Sequence, residues 1–335
     1  RENAGKINDI KVGDYSIGET CKKVEEVWEM TGTHDTPQPV WEHHSWYSSS
    51  RLADVDENNF LYFGANDAFK EFIFKMAPTN AIMWRYKTYT CQDIKSGEGG
   101  SVYFSHGYEL VYISKLDAQA NLEWSTALWQ HESDTYPKVT LGIFSDGSFL
   151  AGSQKATLKK FSNTGQEEWS RRVAIDYGGI EMTKIAIGPD DSAYLLGRKY
   201  SEYLALKVSP SGTILWTVGD KDDGIKNIAA DDEGYLYLVR SNRVTKVSPD
   251  NEEQWSKVTK KQATSLYTRG NEVHFIADQV MYKLSSDGQV LRSTPVEYSD
   301  AMPDYLGAVY RSGEGASIIR EQIDKMDFRG YKILE

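Results

Sequence analysis

Four groupings carry residue types that hold metals or move protons. His43 and His44 are neighbours, with His34 and Asp35 upstream. Zinc takes three or four ligands in tetrahedral reach, and adjacent strand residues point to opposite faces, so the pair can share an ion only in a loop. Asp190-Asp191, Asp222-Asp223 and Asp231-Asp232-Glu233 lack the alternating spacing of a calcium loop and read as solvated turns. Asp220, Asp222 and Asp223 are the trio best placed to hold calcium weakly. There is no Gly-x-Ser-x-Gly, no His-Glu-x-x-His and no phosphate loop. A glycosidase needs two converging carboxyl groups, and among 49 acidic residues the sequence singles out no pair. No catalytic residue, metal ligand or cofactor is assigned.

The strongest spacing in the chain belongs to a repeat. A lysine followed by an apolar residue recurs at Lys75, Lys115, Lys160, Lys207, Lys246, Lys283 and Lys325, 37 to 47 residues apart. Nine residues on stand Trp84, Trp124, Trp169, Trp216 and Trp255, then Arg292 and Leu334. Five residues on stands Asn80, Ala120, Gly165, Gly212, Asn251, Gly288 or Gly330, all but Ala120 of types that turns favour. Each unit reads as four short strands. In the third, Val139 to Phe144 is β-rich, Asp146-Gly147 breaks it, Phe149 to Gly152 and Ala156 to Phe161 follow, and Glu167 to Ser170 is the outer strand. A period near forty with four strands per unit predicts an all-β, seven-bladed β-propeller of four-stranded antiparallel blades. The tryptophans are expected to wedge between blades, and the lysines to face solvent from the third strands.

The expected division is a β-hairpin, docking segment and linker at 1–46 and the propeller at 47–335. Within the first part, Gly13-Asp14 marks the hairpin, and Thr31 to His44 reads as linker. The formal charge of −11 argues against nucleic acid and anionic membrane surfaces as partners. No run of 18 apolar residues predicts membrane insertion. Cys21 and Cys91 allow one bridge by count, and two free thiols are the simpler reading. Residue 1 is Arg, so the natural start is expected to lie further upstream.

Ile7-x-x-Ile-x-Val-Gly-Asp followed by Lys23-Val-x-x-Val-Trp28 resembles a short segment of tail proteins of phages and prophages of Gram-positive bacteria, although Glu25-Glu26 stands where that pattern has a second Gly-Asp. The repeats are similar to the quinoprotein-like (PQQ-like) repeat, with a turn glycine four residues before the tryptophan. A cofactor-dependent quinoprotein would imply adjacent cysteines and a larger propeller; this chain has neither. Together the resemblances imply a non-catalytic tail-associated propeller on the virion, at an extracellular surface. Its partners would be virion tail proteins and a cell-surface glycan, with residues 1–46 joining particle or copies. A cellular protein-interaction scaffold and a polysaccharide-acting enzyme are the alternatives.

In a propeller the first- and last-hairpin turns share one face, while the middle hairpins and blade connections share the other. The second set is the longer and more aromatic. It supplies the expected ligand-binding residues Trp129, His131, Asp134, Tyr136, Tyr177, Asp220, Asp222, Tyr298, Asp300 and Tyr305. Aromatic faces beside carboxylates suit sugar rings and equally suit a protein interface.

Overall fold

The computed structural model describes residues 11–12, 15–16, 38–43, 49–67, 70–107, 110–130, 138–153, 156–175, 178–199, 202–219, 224–240, 242–259, 263–296, 298, 301–303, 305, 308–312 and 318–322. Seven four-stranded antiparallel sheets follow one another around a ring. Blade one comprises Ser49–Val55, Leu61–Asp67, Lys70–Met76 and Ile82–Thr88, from the axis outward. Blades two to six span 91–130, 139–172, 181–219, 227–258 and 265–295 in the same order. Innermost strands of successive blades touch all the way round, the seventh against the first. Lys11–Val12 and Tyr15–Ser16 form a separate two-stranded ladder, the hairpin expected around Gly13-Asp14.

Blade seven corrects the sequence reading. Its inner three strands are Met302–Pro303, Ala308–Ser312 and Ile318–Gln322, and its outermost strand is Gln38–His43. Residues read as linker therefore close the ring by pairing with the last strand of the described chain. The seventh repeat position also moves. Tyr310, Arg320 and Trp41 stand opposite one another, as Tyr62, Lys75 and Trp84 do in blade one, so Arg320 replaces the Lys325 of the sequence register. Lys325 and Leu334 lie outside the described residues.

The indoles do what the repeat predicts. Trp84 Nε1 donates to Ala118 O at 2.9 Å, Trp124 to Asn163 O at 3.0 Å and Trp169 to Pro210 O at 3.1 Å. Trp216 donates to Pro249 O and Trp255 to Ser286 O, each at 2.9 Å. Every acceptor is in the last-hairpin turn of the next blade, so each ring spans a blade boundary and satisfies its one donor there. The turn residue beneath is left-handed, with φ +80° at Gly212, where a Cβ would come within 2.8 Å of Trp169. That approach explains glycine at this point of the repeat.

The lysines do not face solvent as expected. Lys75, Lys207 and Lys246 are buried, with their ammonium groups 5.2, 5.5 and 5.4 Å from the rings of Tyr62, Tyr194 and Tyr237. Lys207 also reaches Asp190 at 3.1 Å, and Lys246 donates to Ser286 O at 3.0 Å in the next blade. A desolvated ammonium over an aromatic face gains up to about 2 kcal/mol, which offsets part of its desolvation cost alongside the carboxylate and carbonyl partners. Burial lowers the Lys75 pKa, and Asp56 opposes that shift.

Candidate functional site

Two regions hold enough polar groups to consider, the axis and the face formed by the middle hairpins and blade connections. Each innermost strand has one edge without a strand partner, and its amides need acceptors. Asp54 Oδ2 accepts the Ser96 N–H at 2.8 Å, Asp93 Oδ2 the Leu141 N–H at 2.8 Å and Gln92 Oε1 the Val139 N–H at 2.8 Å. Further round, Lys184 Nζ donates to Asn227 Oδ1 at 2.7 Å. Burial pushes the Asp93 carboxyl up, against the pull of Lys95 and two amides. Burial alone would lower Lys95, yet Asp93 and Asp54 raise it. These groups answer one another across blade boundaries, and the axial collar is accounted for as structure.

The connection face also holds tyrosines that carry cations, here at the ends of the blades. Lys87 Nζ lies 6.0 Å from the Tyr89 ring, Lys226 Nζ 4.6 Å from Tyr203, and the Arg311 guanidinium 5.0 Å from Tyr298. Tyr89 is 70% exposed. Arg240 and Arg243 face each other across the middle hairpin of blade five. Arg198 forks onto Glu181 Oε2 at 2.7 and 3.2 Å. Such cation-bearing aromatics at strand ends and in the connections of a closed ring can bind a surface of opposite charge.

The expected ligand residues are distributed unevenly. Trp129 lies on Leu122–Gln130 in blade two, opposite Val111. Tyr298 lies in the connection from blade six to blade seven, beside the cluster of Ile276, Val296 and Val309. Tyr305 belongs to the opposite face. It stands in the first-hairpin connection of blade seven, where its N–H donates to Asn59 Oδ1 at 2.7 Å and the Arg269 guanidinium lies 5.0 Å from its ring. The short inner strand Met302–Pro303 is the reason, since it places the turn earlier than the sequence grouping did. His131, Asp134, Tyr136, Tyr177, Asp220, Asp222 and Asp300 lie outside the described residues, as do Cys21, His34, Asp35 and His44. Cys91 is a buried thiol, with its Sγ 3.8 Å from Asp93 O. Among the described residues no three histidine, cysteine or acidic side chains gather around one metal position.

Sequence reasoning overlooked the cations Lys226, Arg240, Arg243 and Arg311. One signal was available: Arg240-Ser241-Asn242-Arg243 sets like charges on either side of a two-residue hairpin turn.

No protein-family model and no curated protein matches the chain. Solved structures do share its architecture. A catalytically inactive variant of virginiamycin B lyase from Staphylococcus aureus, solved with quinupristin, aligns with a TM-score of 0.64 at 11% identity, covering 84% of this chain and 98% of the other. BamB from Moraxella catarrhalis aligns with a TM-score of 0.53 at 13% identity, over 86% and 100%. The Pan2 WD40 domain of Neurospora crassa aligns with a TM-score of 0.65 at 9% identity, over 87% and 97%. At these identities the likeness establishes the β-propeller fold and leaves function to the surface.

Proposed function

We propose that this chain is a non-catalytic interaction module whose connection face docks a protein partner. The observation that carries the reading is the set of tyrosines bearing cations, Tyr89, Tyr203 and Tyr298, displayed on one face of a closed ring. Rigid display lowers the ordering cost of binding. The finer form of the reading places the propeller on a phage tail, at the extracellular side of the virion. Its support is the Ile7-to-Trp28 resemblance, and the attaching segment lies before residue 38, because Gln38–His43 belongs to the ring. A cell-surface glycan is the second ligand class for the same face.

The test uses the full chain. Tyr89→Asp with Tyr203→Asp should abolish capture of the partner, while Leu215→Asp on the rim should leave it intact. Loss of residues 1–37 should keep the fold and remove the protein from particles. Normal incorporation of that truncation overturns the tail reading. Capture of cellular proteins with no virion proteins favours a scaffold instead. Turnover of a polysaccharide overturns the non-catalytic assignment.

A further inference from the structure

Exposed apolar side chains are not spread evenly round the ring. Ile82 and Met83 open the outer strand of blade one at 38% and 53% exposure, and Val290 and Leu291 open that of blade six at 56% and 45%. Pro39 and Val40 hold the same places in blade seven, between them. Leu122 extends the arc into blade two, and Tyr305 stands on the same face in the first-hairpin connection of blade seven. Six of the nine large apolar side chains exposed among the described residues belong to this arc.

The fold does not require them. Blades three and five begin their outer strands with Glu167-Glu168 and Glu253-Gln254 in the same register. Ile214 and Leu215 of blade four stand alone between those two polar blades. Single apolar residues at a surface are ordinary, whereas a run across three successive blades marks a covered surface.

Two stretches of the chain meet this arc. Gln38 and Gln322 are cross-strand partners at the turn end of blade seven, so the residues before 38 and those after 322 both leave from its middle. Charge separates the two candidates. The turns beside the arc expose Glu57, Glu98 and Asp287, and Arg269, at the edge of one of them, donates to Pro303 O at 3.1 Å. Residues 17–37 carry five acids and two cations, a balance that such a rim repels. Residues 323–335, outside the described residues, carry three of each, with Met326, Phe328, Tyr331, Ile333 and Leu334 among them. A stretch of that length spans up to about 40 Å, enough to reach both flanking blades from Gln322.

We propose that residues 323–335 seat their apolar side chains on this arc as a second clasp, tying blade six to blade one across blade seven. Seating removes apolar surface from water on both sides, and Lys325, Arg329 and Lys332 answer the acids of the neighbouring turns. The inference goes beyond the docking reading and does not rest on it, since the arc and the connection face lie at opposite ends of the blades.

The test uses the full chain and follows oxidation of Met83 by hydrogen peroxide, with buried Met281 as the internal control. Phe328→Asp with Ile333→Asp should speed Met83 oxidation about threefold and leave Met281 unchanged. The same variant should lower the melting temperature by about 3 °C. A photo-cross-linker in place of Phe328 gives a second reading that needs no destabilised variant. Its expected products join position 328 to the segments of Met83 or Leu291 in the same copy. Products that link two copies make a second copy the occupant and overturn the proposal. Protection of Met83 that is lost on removing residues 1–37, yet kept in Phe328→Asp with Ile333→Asp, gives the arc to the N-terminal segment and overturns it as well. Equal oxidation of Met83 in full chain and variant, or cross-links confined to blades three to five, overturns it outright.

Discussion

Blades one to five and the seam of blades six and seven solve the same packing problem with different residues. In blades one, two, four and five a tyrosine, a lysine and a tryptophan stand side by side on strands two, three and four. Blade three keeps the lysine and tryptophan beside Leu150. Blade six has His274, Lys283 and Arg292 in those places, with Glu272 bridging to Lys283 at 2.9 Å. Blade seven draws Tyr310 and Arg320 from one end of the chain and Trp41 from the other. The run of five is held by neighbours joined through short turns. The seam depends on a strand that must return from far away in sequence, and loop-closure entropy makes that its weak point.

The largest break in the comparison comes from the clasp. Removing residues 1–43 strips the outer strand from blade seven and exposes the edge Ile318–Gln322. A loss on the order of 5 kcal/mol is expected, with aggregation through the open edge. Removing only 1–37 should leave the melting temperature near that of the full chain. Equal melting of both truncations would mean that the strand contributes nothing to closure.

The indole boundaries come next. Trp169→Ala removes a ring seated on Gly212 together with its bond to Pro210 O. A cost of about 3 kcal/mol is expected, against about 1 kcal/mol for Arg292→Ala at the equivalent place in blade six. Chemical denaturation of both variants measures the difference. Similar costs would show that the seam has the same boundary strength as the run.

A smaller effect tests the turn beneath the ring. Gly212→Ala adds a Cβ at φ +80° and 2.8 Å from Trp169. Blade two accepts Ala120 at φ +67° in the equivalent turn, next to Trp84, so conformation alone is tolerated. The expected cost is about 1–2 kcal/mol, arising mainly from crowding. Combining Gly212→Ala with Trp169→Ala should recover most of it.

This comparison also marks what the sequence could convey. The lysine–tryptophan spacing exposes the run of five because those partners lie nine residues apart in one hairpin. It fails at the seam because Arg320 finds Trp41 only through the closed ring, where no local spacing operates. The lysines read as solvent-facing because a buried ammonium needs partners that alternation does not reveal, here a tyrosine ring and the next blade's turn carbonyl. The site suffers in the same way. Tyr203 is legible as a loop aromatic, while Lys226 of blade five joins it only when blades four and five meet.

Acid sharpens the contrast most gently, because the two regions carry carboxyl and imidazole groups shifted in different windows. Within the run, burial pushes His106 from its ordinary 6.5 down to about 4, between Phe104 and Tyr112 and bonded to Ser114 at 2.8 Å. Between those values the unfolded chain takes up a proton that the folded chain refuses. Stability contributed by neutral His106 is therefore full above pH 6.5 and declines as pH falls toward 4. At the seam, His274 and then Lys283 hold Glu272 down from 4.5 to about 2. Its contribution is full above pH 4.5 and declines as pH falls toward 2. Denaturant midpoints measured from pH 7 to pH 3 should fall in two stages. His106→Gln should flatten the first and leave the second, and Glu272→Gln should do the reverse. A single stage that both variants abolish would mean that run and seam unfold from one shared proton uptake, and the distinction between them would fail in solution.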